Sequence, residues 1–112
     1  MFHGTKSKEG ADGIKESGFD SRFYVTNCYY GRGAYFAEDP MKSHGYTGSG
    51  PLRYMFVVNV ALGKQEELKQ AANNKTGPKH GYHSIYGIAG SAKEYVIDRF
   101  GQAKPLFLIV YK

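Results

Sequence analysis

Glycine interrupts this chain fifteen times in 112 residues, and that spacing most limits the folds open to it. Gly10, Gly13 and Gly18 come early, followed by Gly31 and Gly33, Gly45 to Gly50, Gly77 to Gly90, and Gly101. Glycine destabilises helix and strand interiors and marks turns, so short elements joined by irregular connections are expected. One core usually accounts for a chain of this length, which predicts a single domain over residues 1–112. Ten tyrosines and seven phenylalanines argue against disorder. No apolar run approaches the ~20 residues a membrane-spanning helix needs, so a soluble globular domain is expected.

Alternation gives the clearest strand. Leu52, Tyr54, Phe56, Val58, Val60 and Leu62 fall on one face, opposite the more mixed Arg53, Met55, Val57, Asn59 and Ala61. Leu106 to Tyr111 is continuously apolar and reads as a strand covered on both sides, with Pro105 at its beginning. Glu94 to Phe100 is a third strand, with Tyr95 and Ile97 on one face and Glu94 near its entrance. Two short helices are predicted. One lies within Lys6 to Ser17 and stops at Gly18; the other starts at Asp39-Pro40 and runs to about Tyr46. Asp accepts otherwise unpaired amide hydrogens at a helix start, and Pro lacks one to leave unpaired. Ala71 to Gly81 reads as a polar insertion between strands. With strands outnumbering helices and no βαβ alternation, the predicted class is α+β with a largely antiparallel sheet.

Charge and cysteine content narrow the setting. A net charge of +5 favours anionic partners, but the basic residues are scattered singly, as on any solvated surface. Lone Cys28 cannot form an internal disulfide, and Met1-Phe2-His3-Gly4 lacks the regions of a signal peptide; both fit a reducing, intracellular setting. Several motifs fail. Gly31-Arg32-Gly33 opens like a dinucleotide fingerprint, but Phe36 stands where the third glycine belongs and the following segment looks like strand. Gly77 to Gly81 lacks the second half of a phosphate-binding loop, and Cys28, His80 and His83 do not make up a four-ligand zinc site, so no metal is expected.

Five segments, taken in order, carry more information. They are Phe2-His3-Gly4-Thr5, Gly18-Phe19-Asp20-Ser21-Arg22, Tyr30-Gly31-Arg32-Gly33-Ala34-Tyr35-Phe36-Ala37-Glu38, Lys42-Ser43-His44-Gly45-Tyr46 and Glu94-Tyr95-Val96-Ile97. In this order they resemble the poly(ADP-ribose) polymerase catalytic domain, and Gly-Phe-Asp-x-Arg and Glu-Tyr-Val-Ile look closest to its tankyrase branch. The resemblance implies an ADP-ribosyltransferase fold with a split sheet, NAD as co-substrate, and transfer of ADP-ribose to a macromolecule with release of nicotinamide.

It also implies roles. His3, Tyr35 and Glu94 match the family's His-Tyr-Glu triad. His3 would hydrogen-bond the adenosine ribose, Tyr35 and Tyr46 would sandwich the nicotinamide ring, and Gly4 backbone and Ser43 hydroxyl would hold its carboxamide. Glu94 would stabilise positive charge developing on the ribose in the transition state and orient the acceptor hydroxyl. Thr5, Asp20, Arg22 and Lys42 fall where the family contacts the donor, although Asp20, Arg22 and Lys42 read equally as surface charges. Phe36 and Ala37 are read as pocket wall and strand core.

Departures from the family pattern matter as well. The strand and helix that precede the histidine, the regulatory helical subdomain and the zinc-binding cysteines of the tankyrase branch have no counterpart in these 112 residues, so either a minimal domain or a fragment of a longer product is expected. Compaction over residues 64–93 shortens loops expected to shape the acceptor site, which favours transfer of a single ADP-ribose. A protein acceptor is expected first, a nucleic acid second. Other readings stay open: a non-catalytic binder of NAD or ADP-ribose, an NAD glycohydrolase, or a basic nucleic-acid-binding module using its tyrosines as stacking platforms.

Overall fold

The computed structural model describes residues 1–89 and 93–112. Two sheets form the frame. The first has the order β1-β3-β7, from Phe2–Thr5, Arg53–Val60 and Ala103–Tyr111. The second has the order β2-β6-β5-β4, from Ala34–Phe36, Glu94–Ile97, Ser84–Gly87 and Gln65–Leu68. Every pairing is antiparallel except β4 with β5. A bridge between Phe2 and Ala37 joins the sheets where β1 meets the end of β2. The class is α+β, as the sequence predicts.

Both predicted helices form, with the expected stop at Gly18 and the expected start at Asp39-Pro40. Helix α1, Lys8–Ser17, begins at Ser7, whose side chain accepts from the Gly10 amide, and ends at Gly18 with φ of 71°. A left-handed residue at that position suits glycine, and the Gly18 amide donates back to the Ile14 carbonyl. Helix α2, Pro40–His44, begins at Asp39, which accepts from the Met41 amide. It stops two residues short of Tyr46, which continues the turn by donating its amide to the Ser43 carbonyl at 3.0 Å.

The core lies between the sheets. Phe19, Phe36, Phe56, Val58, Tyr95 and Ile97 pack in one cluster with Ala11 and Ala34. Full burial of a large apolar side chain such as Phe36 or Phe56 stabilises by roughly 1.5–3 kcal/mol. The predicted alternation of β3 holds, since Phe56 and Val58 face this core with Tyr54 and Val60 beside them. Strand β6 is buried on both faces: Tyr95 and Ile97 face this cluster, whereas Val96 joins Tyr30, Tyr35 and Ile85 in a second. Gly87 makes the second cluster possible, because a Cβ there would stand 2.2 Å from the Tyr30 ring.

Strand β7 differs from expectation. It pairs with β3 and forms the edge of its sheet, leaving Leu106, Phe107, Ile109 and Val110 between 42% and 69% exposed. An unbroken apolar run signals cover on both faces only if the fold supplies a layer there, and among the described residues none lies over most of this strand. Near its end, Ile109 and Tyr111 line a cavity of about 370 Å³ with Pro40, Met41, His44 and Met55. Strands β4 and β5, which the sequence did not announce, flank the polar loop that does form between them. No helix among the described residues is long and apolar enough to cross a membrane.

His3 is part of this packing. Its ring lies 5.0 Å from Phe19 and 5.3 Å from Phe36, centroid to centroid. Burial holds its pKa below 6.5, and the hydrogen bond to the Tyr35 carbonyl only partly opposes that shift. The unfolded chain therefore binds the proton more readily than the folded one, so stability is full above pH 6.5 and falls as the pH drops below it. Thermal unfolding between pH 7.5 and 5 should show this decline, and His3→Gln should flatten it. Gly87→Ala should cost about 1–3 kcal/mol through overpacking against Tyr30. Gly13→Ala, where a Cβ meets nothing within 4 Å, should raise stability by about 0.5–1 kcal/mol, both read from denaturant midpoints.

Candidate functional site

The site begins with a contact only glycine permits. A Cβ on Gly4 would stand 2.1 Å from the Ser43 carbonyl oxygen, so α2 lies directly on the β1 backbone. Ser43 is buried there, and its hydroxyl donates to the Phe2 carbonyl at 3.0 Å. With its single hydrogen used, the Ser43 oxygen has acceptor capacity left for an amide N–H. Thr47, fully buried, secures the chain after α2: it donates to the His44 carbonyl and accepts from Arg53 at 2.8 Å.

This seating carries Tyr46 to Glu94. The Tyr46 hydroxyl donates to Glu94 Oε1 at 2.7 Å, bridging the segment after α2 to the start of β6. Glu94 is only 4% exposed. Its charge also acts on Tyr30 and Tyr35, where it adds to burial in raising both phenol pKa values. Tyr46 is pushed up too, first by burial and then by its bond to Glu94, so it remains a donor at neutral pH. Its ring is 40% exposed, and Lys42 Nζ stands 5.7 Å from the ring centroid. Lys42, Ser43, Tyr46, Gly4 and Glu94 thus come together at one place.

His3 and Tyr35 meet from neighbouring strands. His3 Nδ1 lies 2.7 Å from the Tyr35 carbonyl oxygen. A carbonyl only accepts, so Nδ1 carries the proton, and the neutral ring presents Nε2 as an acceptor suited to a hydroxyl. Tyr35 is committed internally: its hydroxyl donates to the Gly31 carbonyl at 2.6 Å and accepts from the Tyr30 amide at 2.9 Å. Tyr35 is 9% exposed, whereas Tyr46 offers the more open aromatic face.

Other expected residues are placed differently. Phe36 and Ala37 are 1% and 2% exposed and lie in or beside the core, Phe36 acting on the site through the His3 ring. Thr5 ends β1 beside α1, where a Cβ on Gly10 would meet its hydroxyl. Asp20 and Arg22 pair with each other. Asp20 caps a 3₁₀ turn, Ser21–Phe23, accepting from the Arg22 amide and from its guanidinium at 2.6 Å. That guanidinium holds the Asp20 carboxyl below its usual pKa. Phe19, next to Asp20 in the chain, meets the His3 ring edge-on at 5.0 Å, while the Arg22 guanidinium lies over the Phe23 ring.

Sequence reasoning missed Tyr30. Buried at 1% exposure, it donates its amide to Tyr35 and accepts from the Ala89 amide at 2.9 Å, tying the Cys28–Gly31 turn to the end of β5. The tandem Tyr29-Tyr30 before Gly31 was the available signal, diluted among ten tyrosines. No group of three or more His, Cys, Asp or Glu suited to a metal ion occurs among the described residues.

Comparison with known proteins bears on this arrangement. The family model described as the poly(ADP-ribose) polymerase catalytic domain matches residues 1–112. Poly [ADP-ribose] polymerase 1 of Danio rerio is 33% identical over 100 residues, covering 84% of this chain and 10% of the relative. The protein of the same name from Gallus gallus is 32% identical over 100 residues and that from Xenopus laevis 34% over 101, with the same coverage. The chain thus spans about a tenth of the length of these relatives. They are not tankyrases, so the branch suggested by Gly-Phe-Asp-x-Arg and Glu-Tyr-Val-Ile is corrected. Matched over its whole length by that model, the chain belongs to the poly(ADP-ribose) polymerase catalytic domain family.

Proposed function

We propose that this domain is an NAD-dependent ADP-ribosyltransferase that passes a single ADP-ribose to a macromolecular acceptor, a protein side chain in the first instance. The observation that carries this reading is the buried Glu94 carboxylate, bonded at 2.7 Å to a tyrosine one turn beyond Ser43. The nicotinamide ring lies against Tyr46, its carboxamide amine donates to Ser43, and the Gly4 backbone closes the other side. The adenosine ribose donates a hydroxyl to His3 Nε2, and the two anchors fix the donor at both ends. Lys42 serves the phosphates, and Asp20 and Arg22 serve the adenosine side when the loop that carries them turns toward His3. The intracellular setting expected of a chain with unpaired Cys28 is part of this proposal.

The reaction follows from charge. The bond between the ribose C1′ and the nicotinamide nitrogen breaks, and its electron pair leaves with nicotinamide. Positive charge then builds on the ribose, next to a fixed carboxylate in a site largely closed to water. Such stabilisation acts mainly in the transition state. Glu94 accepts the proton of the acceptor hydroxyl as its oxygen bonds to C1′. Tyr46 gives up its hydrogen bond to Glu94 when a ribose hydroxyl takes its place.

Nicotinamide release from NAD tests the proposal. Glu94→Gln, similar in shape and without charge, should lower the rate roughly 10²–10³-fold, with NAD affinity changed far less. Labelled NAD should mark a protein acceptor with wild type and not with this variant. An unchanged rate in Glu94→Gln would remove the assigned role, and NAD binding without any release would favour the non-catalytic reading.

A further inference from the structure

Away from the cleft, basic and aromatic groups gather where β3 turns into β4 and where the loop before β5 ends. Lys64 Nζ and Lys79 Nζ each stand 4.7 Å from the centroid of the Tyr82 ring. Two ammonium groups thus share one ring and lie at most about twice that distance apart. Among the described residues neither forms an ion pair. The buried acid beneath them, Glu66, is already occupied: it accepts from Lys75 Nζ at 3.0 Å and from the Lys79 amide at 2.9 Å. Glu67, on β4, is exposed, and His80 and His83 add donors nearby.

The framework under this patch is built. Gly63 takes φ of 55°, and the His83 ring fills the space a Cβ would need. His83 Nδ1 accepts from the Lys64 amide at 2.9 Å, so the neutral ring carries its proton on Nε2, as a donor. Gln102 ties both segments to the turn before β7, donating to the Ala61 carbonyl at 3.1 Å and the His83 carbonyl at 2.8 Å. Lys64, Tyr82 and His83 therefore start from fixed backbone positions.

Like charges over one ring, neither in an ion pair among the described residues, are relieved by an anion. An acidic peptide would satisfy the ammonium groups but leave the tyrosine without a specific partner. A duplex offers phosphates but no open base face. A single strand supplies both, because phosphates track basic side chains while bases stack on aromatic ones. The net charge of +5 favours approach of such a strand. We propose that Lys64, Lys79 and Tyr82 form a docking site for single-stranded nucleic acid, distinct from the Glu94 cleft. The flexible lysines swing to a phosphate and free a face of Tyr82 for a base, and His83 Nε2–H is a further donor to the backbone.

Fluorescence anisotropy with a labelled oligothymidylate or oligouridylate tests this, with thermal unfolding as the check on folding. Wild type should bind with a steep salt dependence, and Lys64→Gln/Lys79→Gln should reduce the magnitude of the log–log slope by about 1.4. Tyr82→Leu should weaken binding roughly tenfold, whereas Tyr82→Phe, which keeps the ring, should bind as wild type does. The site is refuted if wild type fails to bind, if the double lysine variant keeps the wild-type slope, or if duplex or polyglutamate competes as well as the single strand. Nicotinamide release plays no part in this measurement, so its outcome is independent of the transferase reading.

Discussion

The cleft depends on one missing carbon atom. Because Gly4 has no Cβ, the backbone of α2 can rest on β1, and the positions of Ser43, Tyr46 and Lys42 follow from that seating. Any side chain at residue 4 would lift the helix from the strand and carry Tyr46 away from Glu94. The contact joins local sequence to chemistry in few steps. Asp39-Pro40 starts a helix of barely more than a turn, the glycine lets it lie close, and the chain leaving it delivers a phenol to a carboxylate on the other sheet. Short elements suffice here because each is fixed at its ends by capping or by tertiary hydrogen bonds rather than by its own length.

Histidine and glutamate then work from opposite electrostatic situations. His3 is kept neutral between Phe19 and Phe36, with its tautomer set by the Tyr35 carbonyl, so it can accept without bringing positive charge into the cleft. Glu94 is as buried as the surrounding core, yet its environment is polar on the side of Tyr46. The two residues stand on β1 and β6, with β2 between them in the fold.

How far the sequence revealed this depended on how local the cause was. The helix start at Asp39, the stop at Gly18 and the alternation of β3 are set by neighbouring residues, and they were legible, whereas the Ser7 cap of α1 went unnamed. Strand β4, Gln-Glu-Glu-Leu, carries no apolar alternation and exists through its pairing with β5, and β5 is four residues ending in a glycine. Neither has a signal in its own sequence. The apolar run in β7 was recognised as strand, but its cover was misjudged, since burial is a property of the layers around a strand. The residues proposed for the site, His3, Tyr35 and Glu94 with Gly4, Ser43 and Tyr46, were singled out through family resemblance. The packing of Tyr30 over Gly87, which steadies Tyr35, was not, because it joins residues 57 positions apart in an otherwise unremarkable pair.

The bond between Tyr46 and Glu94 has a consequence for binding at that carboxylate. Removing a buried carboxylate from water is costly unless a donor meets it, and here the protein supplies that donor from within. A ligand hydroxyl arriving at Glu94 must therefore compete with an internal rival of the same chemical kind. Integrity of the fold and access to the carboxylate are thus set against each other at a single oxygen atom.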